Sequence, residues 1–193
     1  MKNRIKQCIS SSADNYLKVL NDQHLQENLQ TVISLCVIAF KNDNKMLFCG
    51  NGGSASDAQH IAAELSGRFY TNRPPLYAEA LHVNSSYLTA VSNDFGYDES
   101  YARMLEACGR KGDILIGIST SGNSPNVIKA LKKANEIGMK TIGFTGKKGG
   151  KMNGLCDIIL KAPSDDTPRI QEVHILFGHI ICQLIEEEIF SDA

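Results

Sequence analysis

The sequence predicts an α/β fold: a central, mostly parallel five-stranded sheet sandwiched between two helical layers, preceded by N-terminal helices. Three observations carry this. From Lys45 onward, short β-rich runs alternate with amphipathic helical patterns, the order that helical crossovers between parallel strands impose. One run, Ile114-Leu-Ile-Gly-Ile118, is apolar without a break, as a strand buried on both faces should be. Two runs end in glycine- and serine-rich turns that lead straight into helical patterns, and open sheets of this kind bind ligands beyond their strand carboxyl ends.

Taken in order, residues 1 to about 41 read as two helices. Tyr16, Leu17 and Leu20 give the first a partial periodicity. The second, over 24–41, is apolar around much of its circumference, so it must bury more than one face, in a larger core or against another subunit. Candidate strands follow at 45–49, 76–83, 113–119, 140–145 and 157–161, with helical patterns at about 54–67, 85–92, 98–108 and 124–137 between them. A long helix runs from about Arg169 to Phe190. No repeat, low-complexity tract or linker divides the chain, so the 193 residues read as a single domain, with 1–41 as a helical oligomerisation segment and 42–193 as the α/β core.

Composition narrows the function. Hydrophobic residues make up 42% and charged residues 21%, as in soluble globular proteins. A net charge of −1 and a pI near 6.5 offer nothing to nucleic acid or an anionic membrane. No apolar run approaches the ~18–20 residues of a bilayer span. The basic start Met1-Lys-Asn-Arg-Ile-Lys6 is not followed by a signal-type apolar segment, and the protein is read as cytoplasmic. The six cysteines include no Cys-x-x-Cys pair and sit among apolar residues; they read as reduced core thiols.

The first turn, Gly50-Asn-Gly-Gly-Ser-Ala55, formally fits the dinucleotide pattern G-x-G-x-x-G/A. The next strand, however, ends without a ribose-binding carboxylate; Glu79 lies mid-strand and late. The second turn, Ile118-Ser-Thr-Ser-Gly-Asn-Ser-Pro125, follows the best strand. Ser124 suits an N-cap and Pro125 a first helical residue. Capping needs one hydroxyl, and this turn has four, on Ser119, Thr120, Ser121 and Ser124. Hydroxyls with free N–H groups at a helix N-terminus suit a phosphate monoester.

His60 and Glu64 share one helix face at i, i+4. Alone they read as surface residues, Glu64 pairing with Arg68. The C-terminal helix changes that: at 100° per residue, Val173, Leu176, Phe177, Ile180 and Leu184 form one apolar stripe, while Gln171, Ile175 and His179 occupy a separate sector. His174 falls elsewhere and reads as structural. Asn93-Asp-Phe-Gly-Tyr97 reads as a turn or helix end, where Asn and Asp serve the backbone.

Together, Cys49-Gly-Asn-Gly-Gly-Ser54, Asp57-Ala-Gln-His60, Glu64-Leu-Ser-Gly-Arg68, Asn93-Asp-Phe-Gly96, Gly117-Ile-Ser-Thr-Ser-Gly-Asn-Ser124 and Arg169-Ile-Gln-Glu-Val-His174 resemble the sugar isomerase (SIS) domain family, in its phosphoheptose isomerase group. The resemblance spans nearly the whole chain. It implies interconversion of sedoheptulose 7-phosphate and D-glycero-D-manno-heptose 7-phosphate, the entry to bacterial heptose synthesis for lipopolysaccharide core, capsule or other surface glycans. By motif, Asn51, Gly52, Gly53, Glu64, Asn93, Asp94 and Gln171 would meet the sugar. Ser119, Thr120, Ser121 and Ser124 would hold the phosphate, with Ser54 a further candidate. One Zn2+ per subunit would bind through His60, Glu64, Gln171 and His179. Active sites would form between subunits of a homotetramer, which accounts for the apolar second helix. Glu64 is the candidate base and His179 the candidate acid of an enediol mechanism. Some relatives carry an acidic residue just before the Arg-Ile-Gln run, where this chain has Thr167-Pro168.

Two other functions remain open on sequence. A sister group in the same family binds the bacterial replication initiator without isomerising anything, and this chain resembles it in Asn3-Arg-Ile-Lys-Gln-Cys8 and Thr167-Pro-Arg-Ile-Gln171. That group lacks the glutamate and second histidine, and here Glu64 and His179 are both present. An isomerase of another sugar phosphate would need the same phosphate turn and acid/base pair.

Overall fold

The computed structural model describes residues 1–191. Its sheet has five strands, β1 (Met46–Gly50), β2 (Ala78–Ala80), β3 (Ile114–Ser119), β4 (Lys140–Thr145) and β5 (Ile158–Lys161), in the order β2-β1-β3-β4-β5. Every pairing is parallel, so the expected mostly parallel sheet is wholly so among the described residues. Around it lie α1 (Lys2–Leu20), α2 (Gln23–Lys41), α3 (Gly53–Ser66), α4 (Ser85–Phe95), α5 (Ser100–Cys108), α6 (Pro125–Ile137) and α7 (Thr167–Phe190).

Strand side chains alternate between two cores. Met46, Phe48, Ile114, Ile116, Ile118, Ile142 and Phe144 join α2, α3 and α7 on one face. Leu47, Cys49 and Leu115 join α5 and α6 on the other. Because β3 is central, all six of its residues are buried, and truncating Ile116 to Ala would cost about 2–5 kcal/mol. Gly117 keeps α6 close: a Cβ there would meet Val127 Cγ1 at 3.1 Å.

Strand order reverses between β1 and β3, which lie side by side with Gly50 opposite Ile118. Both turns therefore open into one crevice at the carboxyl edge, where doubly wound sheets bind ligands.

The element boundaries depart from expectation where local partners intervene. The strand expected at 76–83 is only Ala78–Ala80, because Leu76 N–H bonds the Leu65 carbonyl of α3 instead of a strand. The helix expected at 98–108 begins with a 3-10 turn at Tyr97–Glu99, and α7 starts at Thr167, with Pro168 in its first turn, where a missing N–H costs little. The apolar stripe of α7 also differs. Its buried face is Ile170, Val173, His174, Phe177, Gly178, Ile181, Cys182 and Ile185, whereas Leu176, Ile180 and Leu184 are half-buried along a groove shared with α1 and α2. Nor do all the cysteines lie in the core: all six are free thiols, but Cys8 is exposed and Cys108 and Cys156 are half-buried.

The groove, of about 1130 Å³, is lined by Val19, Leu29, Ile33, Val37, Ile180 and Leu184, among others. Beside it Ile38 is 56% exposed and Leu20 67%; α2 thus buries one apolar face and leaves part of another open. No described helix is long and apolar enough to cross a membrane.

Candidate active site

The first turn is backbone-driven. A Cβ at Gly50 would collide with the Ser54 carbonyl. Gly52, at φ +57°, is the N-cap of α3 with no capping side chain, and the N–H groups of Ser54 and Ala55 bond the Asn51 and Gly52 carbonyls at 3.1 and 3.0 Å. Asn51 is held from three sides: it exchanges amide hydrogen bonds with Asn126, both at 2.9 Å, and its Oδ1 accepts from the Tyr97 hydroxyl at 2.9 Å and the Tyr101 hydroxyl at 3.4 Å. Tyr101 also donates to the Gly50 carbonyl. Asn126, at 1% exposed, ties the first turn to the helix that follows the second.

In that second turn Ser124 occupies the N-cap of α6, yet its hydroxyl caps nothing. It bonds Ser119 Oγ at 2.9 Å, and Ser121 Oγ lies 3.5 Å from Ser119 Oγ. The hydroxyls converge on one another instead of on the helix, so the capping explanation does not account for them. The turn is braced from below: Gly122, at φ +65°, packs on the Gly149 carbonyl, Met152 N–H bonds the Gly122 carbonyl at 3.1 Å, and Gly146 N–H bonds the Thr120 carbonyl at 3.0 Å. Beneath it His174, fully buried, bonds the Thr145 carbonyl through Nε2 at 3.1 Å. Burial, only partly offset by that carbonyl, lowers its pKa to about 4; a structural place for this histidine is what the sequence implied.

Two helices remote in sequence bring the remaining residues together. His60 Nε2 lies 3.0 Å from Glu64 Oε1, and the His60 and His179 ring centroids are 5.2 Å apart. Ligand atoms of His60, Glu64 and His179 all lie within 4.8 Å of one another. Glu64 is paired with His60, not Arg68, whose guanidinium reaches the Tyr70 carbonyl. Close helix approach permits this: a Cβ on Gly178 of α7 would clash with Ile61 of α3. Gln171, also on α7, sets its side-chain amide against Gly53 in the first turn of α3. Asn93 and Asp94 end α4, where Asn93 donates to Asp94 Oδ1 at 2.8 Å.

Two imidazoles and a carboxylate, all partly open to solvent, are a donor set for a divalent cation with room left for a substrate oxygen. Asp57, one turn before His60, has a buried Oδ2 without a partner among the described residues. Burial raises its pKa to about 6, with His60 pulling the other way.

Sequence reasoning missed the residues that hold the site's residues in place. Asn126, Tyr97 and Tyr101 anchor Asn51 across gaps of 46 to 75 residues, and no local pattern reports such a contact. Phe69 packs against His179, ring centroids 5.9 Å apart; its place directly after the Glu64-to-Arg68 motif was the available signal.

Residues 10–146 match the family model of the SIS domain. The chain is 60% identical to the phosphoheptose isomerase of Aliarcobacter butzleri over 165 residues, 86% of this chain and 87% of that one. It is 50% identical to that of Clostridium acetobutylicum over 192 residues, 100% and 98% of the two chains. Among solved structures, a phosphoheptose isomerase from Neisseria gonorrhoeae superposes with a TM-score of 0.90 at 41% identity, covering 96% of this chain and 98% of its own. One from Francisella tularensis gives 0.92 at 35%, covering 96% and 97%.

Proposed function

We propose that this chain, which belongs to the SIS domain family, is an aldose–ketose isomerase that interconverts sedoheptulose 7-phosphate and D-glycero-D-manno-heptose 7-phosphate. Its relatives at 50–60% identity carry the name phosphoheptose isomerase. The observation that carries the chemistry is the meeting of His60, Glu64 and His179, on the helix that follows one of two turns sharing a crevice.

The carbonyl moves between C1 and C2 by removal of a proton from one carbon and its return to the other through an enediol. Glu64 takes the proton and His179 acts as the acid toward oxygen or the opposite carbon. Ser119, Thr120, Ser121 and Ser124 grip the phosphate at the N-terminus of α6. Gly52 and Gly53 let the sugar approach the backbone, and Asn51, Asn93, Asp94 and Gln171 meet its hydroxyls. Zinc is the cation proposed for His60, Glu64 and His179, with Gln171 as fourth ligand once its amide turns from Gly53; it would supply Lewis-acid polarisation of the carbonyl oxygen. Glu64 would help to hold the cation as well as act as the base, and a cation beside it would lower its basicity.

A second copy of this chain is the proposed cover for the α1/α2/α7 groove, within a homotetramer whose active sites lie at subunit interfaces. Exposed Ile5, Ile9, Leu17 and Leu20 beside it support this, since contiguous apolar surface of this kind marks association sites. The six free thiols accord with a cytoplasmic location.

Incubating the purified protein with sedoheptulose 7-phosphate and resolving the products tests the reading. Formation of the heptose 7-phosphate, abolished by a chelator and restored by zinc, is expected. A zinc-loaded tetramer without turnover would overturn it.

A further inference from the structure

We propose that Arg73 and Glu186, outside the reacting set, form a positioning pair that sets the approach of Glu64 to His179; the inference rests on the isomerase reading above.

Both side chains are nearly sealed from water, at 7% and 3% exposure. Glu186 lies on α7 two turns beyond His179. Its Oε1 accepts the N–H groups of Tyr70 and Thr71, each at 2.8 Å, and its Oε2 accepts Phe69 N–H at 3.1 Å and Arg73 Nε at 2.8 Å. Arg73 also reaches the end of α3: Nη2 donates to the Glu64 carbonyl at 3.0 Å, and Nη1 to the Leu65 carbonyl at 2.9 Å as well as to that of its neighbour Pro74 at 3.1 Å. The Glu64 and Leu65 carbonyls belong to the last turn and have no partner inside their own helix. The turn of α3 that carries Glu64 is thereby tied, through one guanidinium and one carboxylate, to the helix that carries His179.

The pair also holds the segment between them. Phe69, fixed through its N–H to Glu186, rests its ring near the His179 imidazole. Stability alone is a weak reason for such an arrangement, because replacing a buried ion pair by apolar residues is often neutral or stabilising. What an apolar pair could not supply is direction. Four donors converging on one carboxylate define a single register of α3 against α7, and a shift in that register moves Glu64 and His60 relative to His179.

The experiment uses the full chain and compares Glu186→Gln with wild type. It measures far-UV circular dichroism, Zn2+ affinity by competition with a chromophoric chelator, and kcat and KM for sedoheptulose 7-phosphate, all well below the melting temperature. We expect an unchanged spectrum, zinc affinity and kcat each lower by about 10–100-fold, and KM within about twofold, as for residues that orient metal ligands without touching substrate. A variant with a lower melting temperature but wild-type zinc affinity and kcat would overturn the proposal and leave the pair a fold-stabilising contact. Should Glu186→Gln fail to fold, Arg73→Lys carries the same test, because it keeps the charge and loses the fork to the Glu64 and Leu65 carbonyls. A wild-type protein inactive on this sugar would sink the isomerase reading, while the zinc titration still decides the positioning claim.

Discussion

β1 passes through Asn51 and Gly52 into α3, and β3 passes through Ser119 to Ser124 into α6, from neighbouring strands with the same direction. Both are strand–turn–helix units with an uncapped helix start. In the second unit the candidate groups lie in the turn itself, where the hydroxyls of Ser121 and Ser124 both approach that of Ser119. In the first they lie beyond the turn, at His60 and Glu64, and are completed by His179 from α7. The difference comes from packing: α7 crosses α3, with Gly178 against Ile61 and Cys182 against the Ile61 carbonyl, whereas α6 packs on α5 in the opposite layer. One unit thus gathers its hydroxyls within its own turn, and the other brings two imidazoles and a carboxylate together only through α7.

If the division holds, damage to the first unit should appear in kcat and damage to the second in KM. Glu64→Gln should lower kcat by about 10²–10⁴-fold with the fold intact, the share usual for general acid–base catalysis; an ordinary kcat would remove Glu64 from the mechanism. Ser121→Ala should raise KM by about tenfold or more, the loss of one hydrogen bond to a charged group, with kcat little changed, because phosphate grip is common to ground and transition states. A pure kcat loss there would break the comparison.

Smaller effects sharpen it. Gly122→Ala places a Cβ at φ +65° against the Gly149 carbonyl, and should cost about 1–3 kcal/mol, read as a lower denaturation midpoint. A pH-dependent effect concerns the imidazole beneath the turn. His174 stays neutral in the fold down to about pH 4, whereas an ordinary histidine titrates at 6.5. Between those values the unfolded chain binds a proton that the folded one refuses, so stability falls as pH falls from 6.5 to 4 and that contribution levels off below. Urea midpoints of wild type and His174→Gln across this window should differ in slope; parallel curves would show that His174 does not titrate as stated.

Glu186 gives a separate acid limit. Burial opposes its charge, but the N–H groups of Thr71, Tyr70 and Phe69 and the Arg73 guanidinium prevail and hold its pKa at about 2, below the ordinary glutamate value of 4.5. Its stabilisation is complete above 4.5 and is lost as pH falls toward 2.

Much of the second unit was legible in the chain, because an apolar run, a glycine and four hydroxyls within seven residues are neighbours in space as in sequence. Parallel topology was legible for the same reason, since each strand and helix announces itself by its own period. The stripe on α7 was misread because periodicity reports an apolar face without saying what covers it: Val173 and Phe177 meet the sheet layer, while Leu176, Ile180 and Leu184 meet the groove.

By itself, then, the sequence determined the local things: the β–α alternation, the serine turn, the shared helix face of His60 and Glu64, and a structural role for His174. Only the tertiary structure decided which helix faces which. It brought His179 to His60, bound Asn51 to Asn126 and Tyr97, and linked Arg73 to Glu186 across 113 residues. The physical reason is range: hydrogen-bond periodicity acts over a few residues and leaves its mark in spacing, while the register between two helices is set by small residues and buried charges whose partners are known only once the chain has closed on itself.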